Sequence, residues 1–532
     1  MLTYQCKAEN FLHNEKDFQL GFLSSEASNP ITAHLDRDFN ESSQKGVSTL
    51  LRVDQALVPV ARRALADKRF AKLRTAIATA LSNKKQIIFS GCGATGRLSI
   101  LLEAAWRDYA KPEVKDSVKS IMTGGDFALV KSVEFFEDYP QFGKRQVEDM
   151  NVSSGDVLVG ITATGETASI IGSVMAAAER NADVFLLICV DKDVPMNRLK
   201  RCKEAYSHPN VTVLDMPCAG MAVSGSTRMQ SSTLEMLIAA AALEEAVGHG
   251  IADYAEAFKQ MLNNLEKPEN VKAIANYIDF ETEIYQQKRL ITYLSDEFLL
   301  DILTDTTERS PTFMLPPFKR IDKIDAPSSW AFVKTPCCPT PEAWRRCFRR
   351  EPRCLAWTQE DYCAMDTAAL VASEIPEISI MDLMKIEIGN EVALDRSDAV
   401  EVKISATRDE IKIQTADKLF QIASHVVPTS LRLFEHLALK LVLNIISTGA
   451  MVKLERVSGN WMTYLDVSNK KLIDRGIRII ASQCKMDYND ACHQLFKSID
   501  ELAKKDTGSE KISPVQYTIS KFNSERQGEA KC

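Results

Sequence analysis

Three segments of this 532-residue chain combine glycine and hydroxyl side chains at a spacing suited to holding an anion. In Gly91-Cys-Gly-Ala-Thr-Gly-Arg97 the glycines let the backbone approach a ligand closely. The turn then delivers that ligand to the amino end of a following helix, where unpaired N–H groups and the helix dipole favour negative charge. The same residues satisfy the G-x-G-x-x-G pattern of dinucleotide folds, but that reading needs an acidic residue closing the second strand about 20 residues on. Asp108 lies at a comparable distance inside the first helix instead, which leaves phosphate binding or a purely structural turn. Thr162-Ala-Thr-Gly-Glu-Thr167 offers hydroxyls and main-chain amides that can hold phosphate without net positive charge, and they also suit the N-cap of the next helix. Ser224-Gly-Ser-Thr-Arg-Met-Gln-Ser-Ser-Thr233 carries more hydroxyls than capping requires, with an arginine among them. Three such turns at one sheet edge point to a phosphorylated, polyhydroxylated ligand.

Two other clusters carry less chemistry. Cys337, Cys338, Cys347, Cys354 and Cys363 have no regular zinc spacing and no histidine nearby. Arg345, Arg346, Arg349, Arg350 and Arg353 form a local basic run, read as a solvated face or as a dock for an acidic partner.

The elements that must position the turns follow from periodicity. Residues 50–85 show helical spacing, a β-prone run at 86–90 precedes the first glycine turn, and an apolar-periodic helix spans 97–110. Strand runs follow at 156–161, 183–189 and 211–214, with helices at 169–181 and 228–247 and a helical stretch at 254–285. Alternating strands and helices imply a parallel sheet covered on both faces. A weaker α/β stretch opens at 289–293 and runs to about 447 without a comparable glycine turn, as a degenerate second copy would. Small helices are expected within 469–505 and a frayed polar tail from 506 to 532.

Composition narrows the classes. Lys plus Arg number 65 against 72 Asp plus Glu, so the net charge of −7 argues against a nucleic-acid binder. The apolar runs at 184–190 and 237–243 are short of the ~20 residues of a membrane helix, and none is expected. Residues 1–19 lack the apolar core of a secretory signal, so a cytoplasmic location with reduced thiols is expected for the 13 cysteines. Ala530-Lys531-Cys532 is only loosely similar to a peroxisomal address.

The turns together resemble the sugar isomerase (SIS) domain family, in particular the branch holding the N-acetylmuramic acid 6-phosphate etherases and the glucokinase regulatory protein. That resemblance rests on Gly91–Arg97, Thr123-Gly-Gly-Asp126 with Val133-Glu-Phe-Phe-Glu-Asp138, and Ser224-Gly-Ser-Thr-Arg-Met229. It returns at Lys440-Leu-Val-Leu-Asn-Ile-Ile-Ser-Thr-Gly-Ala-Met451, Gly459-Asn-Trp-Met-Thr-Tyr-Leu-Asp466 and Asn469-Lys-Lys-Leu472. It implies an α/β fold of tandem SIS domains, each a doubly wound parallel sheet in three layers, with a small helical C-terminal cap. The implied boundaries are an extension at 1–50, a first SIS domain at 51–268, a degenerate second at 269–467, and cap and tail at 468–532.

In the etherase pattern two carboxylates serve as acid and base, and Glu137 takes one position. The other falls on Ala105, which cannot transfer a proton, and Glu103 lies about 200° around the helix from it. The resemblance therefore implies a regulator that binds a hexose phosphate such as fructose 6-phosphate and modulates a glucokinase-type sugar kinase. The alternative is an etherase, a lyase releasing lactate, or a related amino-sugar phosphate enzyme, with Ala105→Glu then expected to restore turnover in part. The implied ligand residues are Ala94, Thr95, Glu137, Thr162, Ala163, Thr164, Lys440 and, from the other lobe, Glu308. Ser226 and Thr227 are expected to share the anion with Thr95 and Thr164. No cofactor, metal, nucleic acid or membrane enters this reading.

Overall fold

A computed structural model of the chain describes residues 3–371, 374–391, 396–505 and 511–529. The first lobe is built on β1 (Ile87–Gly91), whose residues are all buried, as a central strand between two helical layers requires. The chain runs through α1 (Ala94–Tyr109), β2 (Val118–Met122), β3 (Val157–Ile161), α2 (Ala168–Glu179), β4 (Asp183–Ile188), β5 (Val211–Asp215) and α3 (Gln230–Ala246). The strands form a five-stranded parallel sheet in the order β2-β1-β3-β4-β5. The order reverses between β1 and β3, so the turns after these two strands open into one crevice, the place where such sheets bind ligands.

The second lobe contains β6 (Ile291–Leu294), α4 (Leu299–Phe313), β7 (Ala331–Lys334), β8 (Val400–Ala406), β9 (Glu410–Gln414) and β10 (Leu419–Ala423). Its five-stranded sheet has the order β10-β9-β8-β6-β7. Only β7, β6 and β8 are parallel, whereas β8, β9 and β10 form an antiparallel meander. The expected all-parallel second sheet is corrected accordingly. Burial along β8, β9 and β10 alternates between the core and the open face, as one-sided antiparallel strands do.

Two helices join the lobes: α1 and α4 each follow the first strand of their own sheet and pack against one another. Behind them runs α5 (Leu433–Lys453), which is long and apolar enough to cross a membrane. With 83% of its most apolar window buried inside the protein, it serves as a core helix. The helical stretch expected at 254–285 breaks into Tyr254–Leu265 and Pro268–Gln286, the proline sitting in the first turn of the second helix.

The cap consists of α6 (Lys470–Cys484), α7 (Tyr488–Leu502) and α8 (Pro514–Glu529), with α8 packed on both of the others. A frayed tail is thus corrected for 514–529, where Val515 and Ile519 are buried; residues 506–510 and Ala530-Lys531-Cys532 lie outside the described residues. The amino-terminal helix Tyr4–Asn14 also packs on α7, with the Phe11 ring 6.2 Å from Phe496.

Candidate functional site

Helix α1 begins earlier than its apolar pattern indicates, so Ala94, Thr95, Gly96 and Arg97 form its first turn and Gly91-Cys92-Gly93 is the bend before it. Gly93 has φ +56°, and a Cβ on Gly91 would collide with the Thr95 backbone at 2.3 Å. The amino end of α1 therefore opens directly into the crevice. Thr95 Oγ1 ties the bend together, donating to the Cys92 carbonyl at 3.0 Å and accepting from the Cys92 N–H at 3.1 Å.

Ala94, Thr95, Glu137, Thr162, Ala163, Thr164, Ser226, Thr227 and Glu308 all line one cavity. The turn after β3 is self-supporting: Thr164 Oγ1 donates to Glu166 Oε1 at 3.1 Å, Thr162 and Thr167 hydroxyls lie 2.9 Å apart, and Glu166 pairs with Arg201 at 2.6 Å. Ser226 differs from its neighbours. Its Oγ is buried and has no hydrogen-bond partner, as does Arg228 Nε beside it. Buried polar atoms are normally satisfied, and these two unpartnered atoms belong to residues that line one cavity.

Lys440 does not line this cavity, contrary to expectation. Its ammonium lies behind the third turn, donating to the carbonyls of Arg228 (3.0 Å) and Met229 (3.1 Å) and to Thr233 Oγ1 (2.8 Å). Burial pushes the amine down to about 7, and the turn carbonyls supply the acceptors a buried amine needs. Lys440 thus positions the turn from the core side.

The cap supplies what sequence reasoning missed. Lys471 and Arg475 of α6 both line the cavity, and Lys471 Nζ lies 2.9 Å from Glu137 Oε1. Burial opposes the charge on Lys471, but Glu137 and Glu166 outweigh it and hold the amine above the usual lysine range. The Lys470 N–H also donates to Asp138 Oδ2 at 3.1 Å, so the amino end of α6 rests on both acids. Arg475 is anchored to the buried carboxylate of Glu26 at 2.6 Å and fills the space over Gly225, where a Cβ would meet its Nε at 2.4 Å. The motif Asn469-Lys-Lys-Leu472 was the available signal for this contribution.

The two lobes exchange corresponding helices. Glu308 of α4 reaches the first lobe's cavity, where it pairs with the fully buried Arg97 of α1. Ala105 of α1 instead lines a separate cavity formed with residues 296–301 at the start of α4. Ala105 therefore does not face the hydroxyl turns, and the second carboxylate at those turns comes from the other lobe. Glu103 lies in neither place. It accepts from the Ser120 N–H (3.0 Å) and hydroxyl (2.7 Å) and pairs with Arg107, Arg350 and Arg353. Burial opposes its charge, yet the arginines hold it below the usual carboxylate range.

The arginine run is correspondingly neutralised: Arg350 also pairs with Asp126, Arg349 with Asp108, and Arg345 and Arg346 with Glu342. A free basic dock is therefore corrected to a set of ion pairs, several of which join the lobes. Among the described residues no group of three or more His, Cys, Asp and Glu is arranged to hold a metal.

The family described as glucokinase regulatory protein N-terminal SIS domain matches residues 69–178. The chain is 32% identical to the N-acetylmuramic acid 6-phosphate etherase of Rhodopirellula baltica over 223 residues, covering 41% of this chain and 67% of the relative. It is 31% identical over 220 residues to the etherase of the same name from Yersinia pestis, covering 41% of this chain and 68% of that one. Among solved structures, the tagatose-6-phosphate ketose/aldose isomerase of Escherichia coli aligns at a TM-score of 0.37 and 10% identity, covering 77% of this chain and 93% of that one. With its glycine turn inside the matched segment and two thirds of the etherase length covered, the chain belongs to the etherase and glucokinase regulatory protein branch of the SIS family.

Proposed function

We propose that the cavity binds a phosphorylated amino sugar in the cytoplasm and that the chain acts as a carbon–oxygen lyase of the N-acetylmuramic acid 6-phosphate etherase type. The observation that carries this reading is that Glu137 of the first lobe and Glu308 of the second line the same cavity as the three hydroxyl turns. Phosphate sits at the amino end of α1 with Thr95, Thr164, Ser226 and Thr227, beside Arg228, Lys471 and Arg475, each of which is paired with a carboxylate in the free chain. In the elimination one carboxylate takes the proton from the carbon next to the carbonyl-derived carbon. The C–O bond to lactate breaks, a carbon–carbon double bond forms, and the other carboxylate returns a proton to the departing oxygen.

A second reading is favoured by the Lys471–Glu137 pair. A ligand hydroxyl that bonds Glu137 also changes the hold of the cap, so a sugar phosphate preferring one cap arrangement shifts the population without chemistry. In that reading the chain regulates a glucokinase-type sugar kinase. Incubating pure protein with N-acetylmuramate 6-phosphate while following lactate separates the two. Release at about 1–10³ s⁻¹ supports the lyase. Thermal stabilisation by hexose phosphates without lactate, together with a changed rate of added sugar kinase, supports the regulator.

A further inference from the structure

The largest cavity bordering the candidate site is not the sugar cavity but a neighbour of about 690 Å³ at the junction of both lobes and the cap. Its volume is in the range of small-molecule sites, roughly 300–1,000 Å³. It shares Ser132, Pro311 and Leu472 with the sugar cavity and extends away from it. In a chain of net charge −7, this cavity gathers Lys131, Lys288, Arg289, Arg456 and Lys511 against the single carboxylate of Asp466. Asp466 is already paired with Lys511. Among the described residues, Lys131, Lys288 and Arg289 have no carboxylate partner, and all three are exposed at the cavity edge.

The inner wall is aromatic. The Arg456 guanidinium lies 4.7 Å from the Trp330 ring and 4.5 Å from the Tyr464 ring, and its Nη1 donates to the Phe313 carbonyl at 2.9 Å. Tyr285 stands 5.3 Å from Trp330, ring to ring. Arg456 therefore joins the Trp330 and Tyr464 rings into a cationic aromatic platform on the cavity wall, and the unpaired Lys131, Lys288 and Arg289 line the same cavity.

A bare phosphate would leave the platform unused, and an uncharged ring would leave the cations unused. We infer that this cavity is a second ligand site, separate from the sugar cavity, for a nucleoside polyphosphate. Its base would lie against the Trp330–Arg456–Tyr464 wall, and its phosphates would meet Lys131, Lys288 and Arg289. The inference does not rest on the sugar cavity's proposed chemistry.

The test is calorimetric titration of the full chain with ADP and, separately, with fructose 6-phosphate. The double variant Lys288→Glu with Arg289→Glu tests the unpaired cations, and Trp330→Leu tests the ring wall. ADP is expected to bind the unsubstituted chain and to bind the double variant at least about tenfold more weakly, through lost charge-assisted contacts. Fructose 6-phosphate affinity is expected to be unchanged in the double variant, which also shows that it is folded. Trp330→Leu is expected to weaken ADP while leaving inorganic pyrophosphate, a ring-free probe, unaffected. No heat with millimolar ADP, equal ADP affinity in the double variant, or joint loss of ADP and fructose 6-phosphate in a folded variant would each overturn the inference.

Discussion

Lys471 of the cap and Glu137 of the first lobe form an ion pair at 2.9 Å on the wall of the sugar cavity, with side chains only 13% and 18% exposed. The pair couples the position of α6 to the site. Replacing Lys471 with Met leaves the Glu137 carboxylate without its main counter-charge in a partly dry place. A loss of about 1–3 kcal/mol of stability is expected, below the value for a fully buried pair because water still reaches both groups. Denaturant unfolding of the variant measures this, and limited proteolysis should show α6 cut sooner. Because Lys471 is held above the usual lysine range, its contribution is present throughout neutral pH and is lost only as pH rises through that raised value.

Asp138 carries the opposite signature. Burial first, and repulsion from Glu137 second, push its carboxyl from the ordinary 3.8 up to about 7. The folded chain therefore holds an extra proton between these values, and the contribution of Asp138 makes stability fall as pH rises across that window. Asp138→Asn removes this slope, so the variant should gain melting temperature over the parent at about pH 8 but not at about pH 4. A difference that is the same at both pH values would contradict the assignment.

Glu308→Gln keeps the shape of the second-lobe side chain but removes its charge from the cavity and from Arg97. If the chain is a lyase, lactate release should fall by about 10² to 10⁴, the worth of one acid–base group. Ala105→Glu should not restore it, because Ala105 lines the other cavity. Parallel turnover measurements on both variants check this; rescue by Ala105→Glu would return the missing acid to α1.

These predictions mark where the sequence was informative. The three turns were legible because glycine and hydroxyl residues at strand ends have few other uses in combination, and the structure gathers them at the β1/β3 reversal. Glu308 was legible only through resemblance, since nothing local distinguishes a glutamate inside α4. Which cavity Ala105 lines was not legible for a topological reason: spacing from Arg97 gives a position along α1, not the lobe whose cavity that face of the helix meets. Lys440 was placed by its neighbourhood in sequence, which does not reveal that turn carbonyls already surround its ammonium. Lys471 and Arg475 lie more than a domain away in sequence from the residues they serve, so their role needed the folded cap. The antiparallel half of the second sheet was written in the alternation of Val400–Ala406, which the expectation of a repeated lobe overrode.

Lys440→Met should lower stability and phosphosugar affinity together, each by about 1–3 kcal/mol, because it strips donors from the carbonyls that shape the third turn. Unfolding and binding measured on one preparation check the coupling. Loss of affinity at unchanged stability would instead place the amine on the ligand.

The central claim, that the hydroxyl turns close around a sugar phosphate, is tested most directly at Ser226, whose buried Oγ has no partner within the protein. Calorimetric titration of fructose 6-phosphate into the parent chain and Ser226→Ala, with melting temperatures recorded alongside, isolates that one atom. The account predicts binding to the parent and a loss of about 1.5–3 kcal/mol in the variant, roughly tenfold or more in affinity, from the missing hydrogen bond to a charged acceptor. The melting temperature of the free protein should not fall, since the hydroxyl removed makes no internal hydrogen bond. Equal affinity in the two proteins would contradict it, as would no binding of either fructose 6-phosphate or N-acetylmuramate 6-phosphate to the parent.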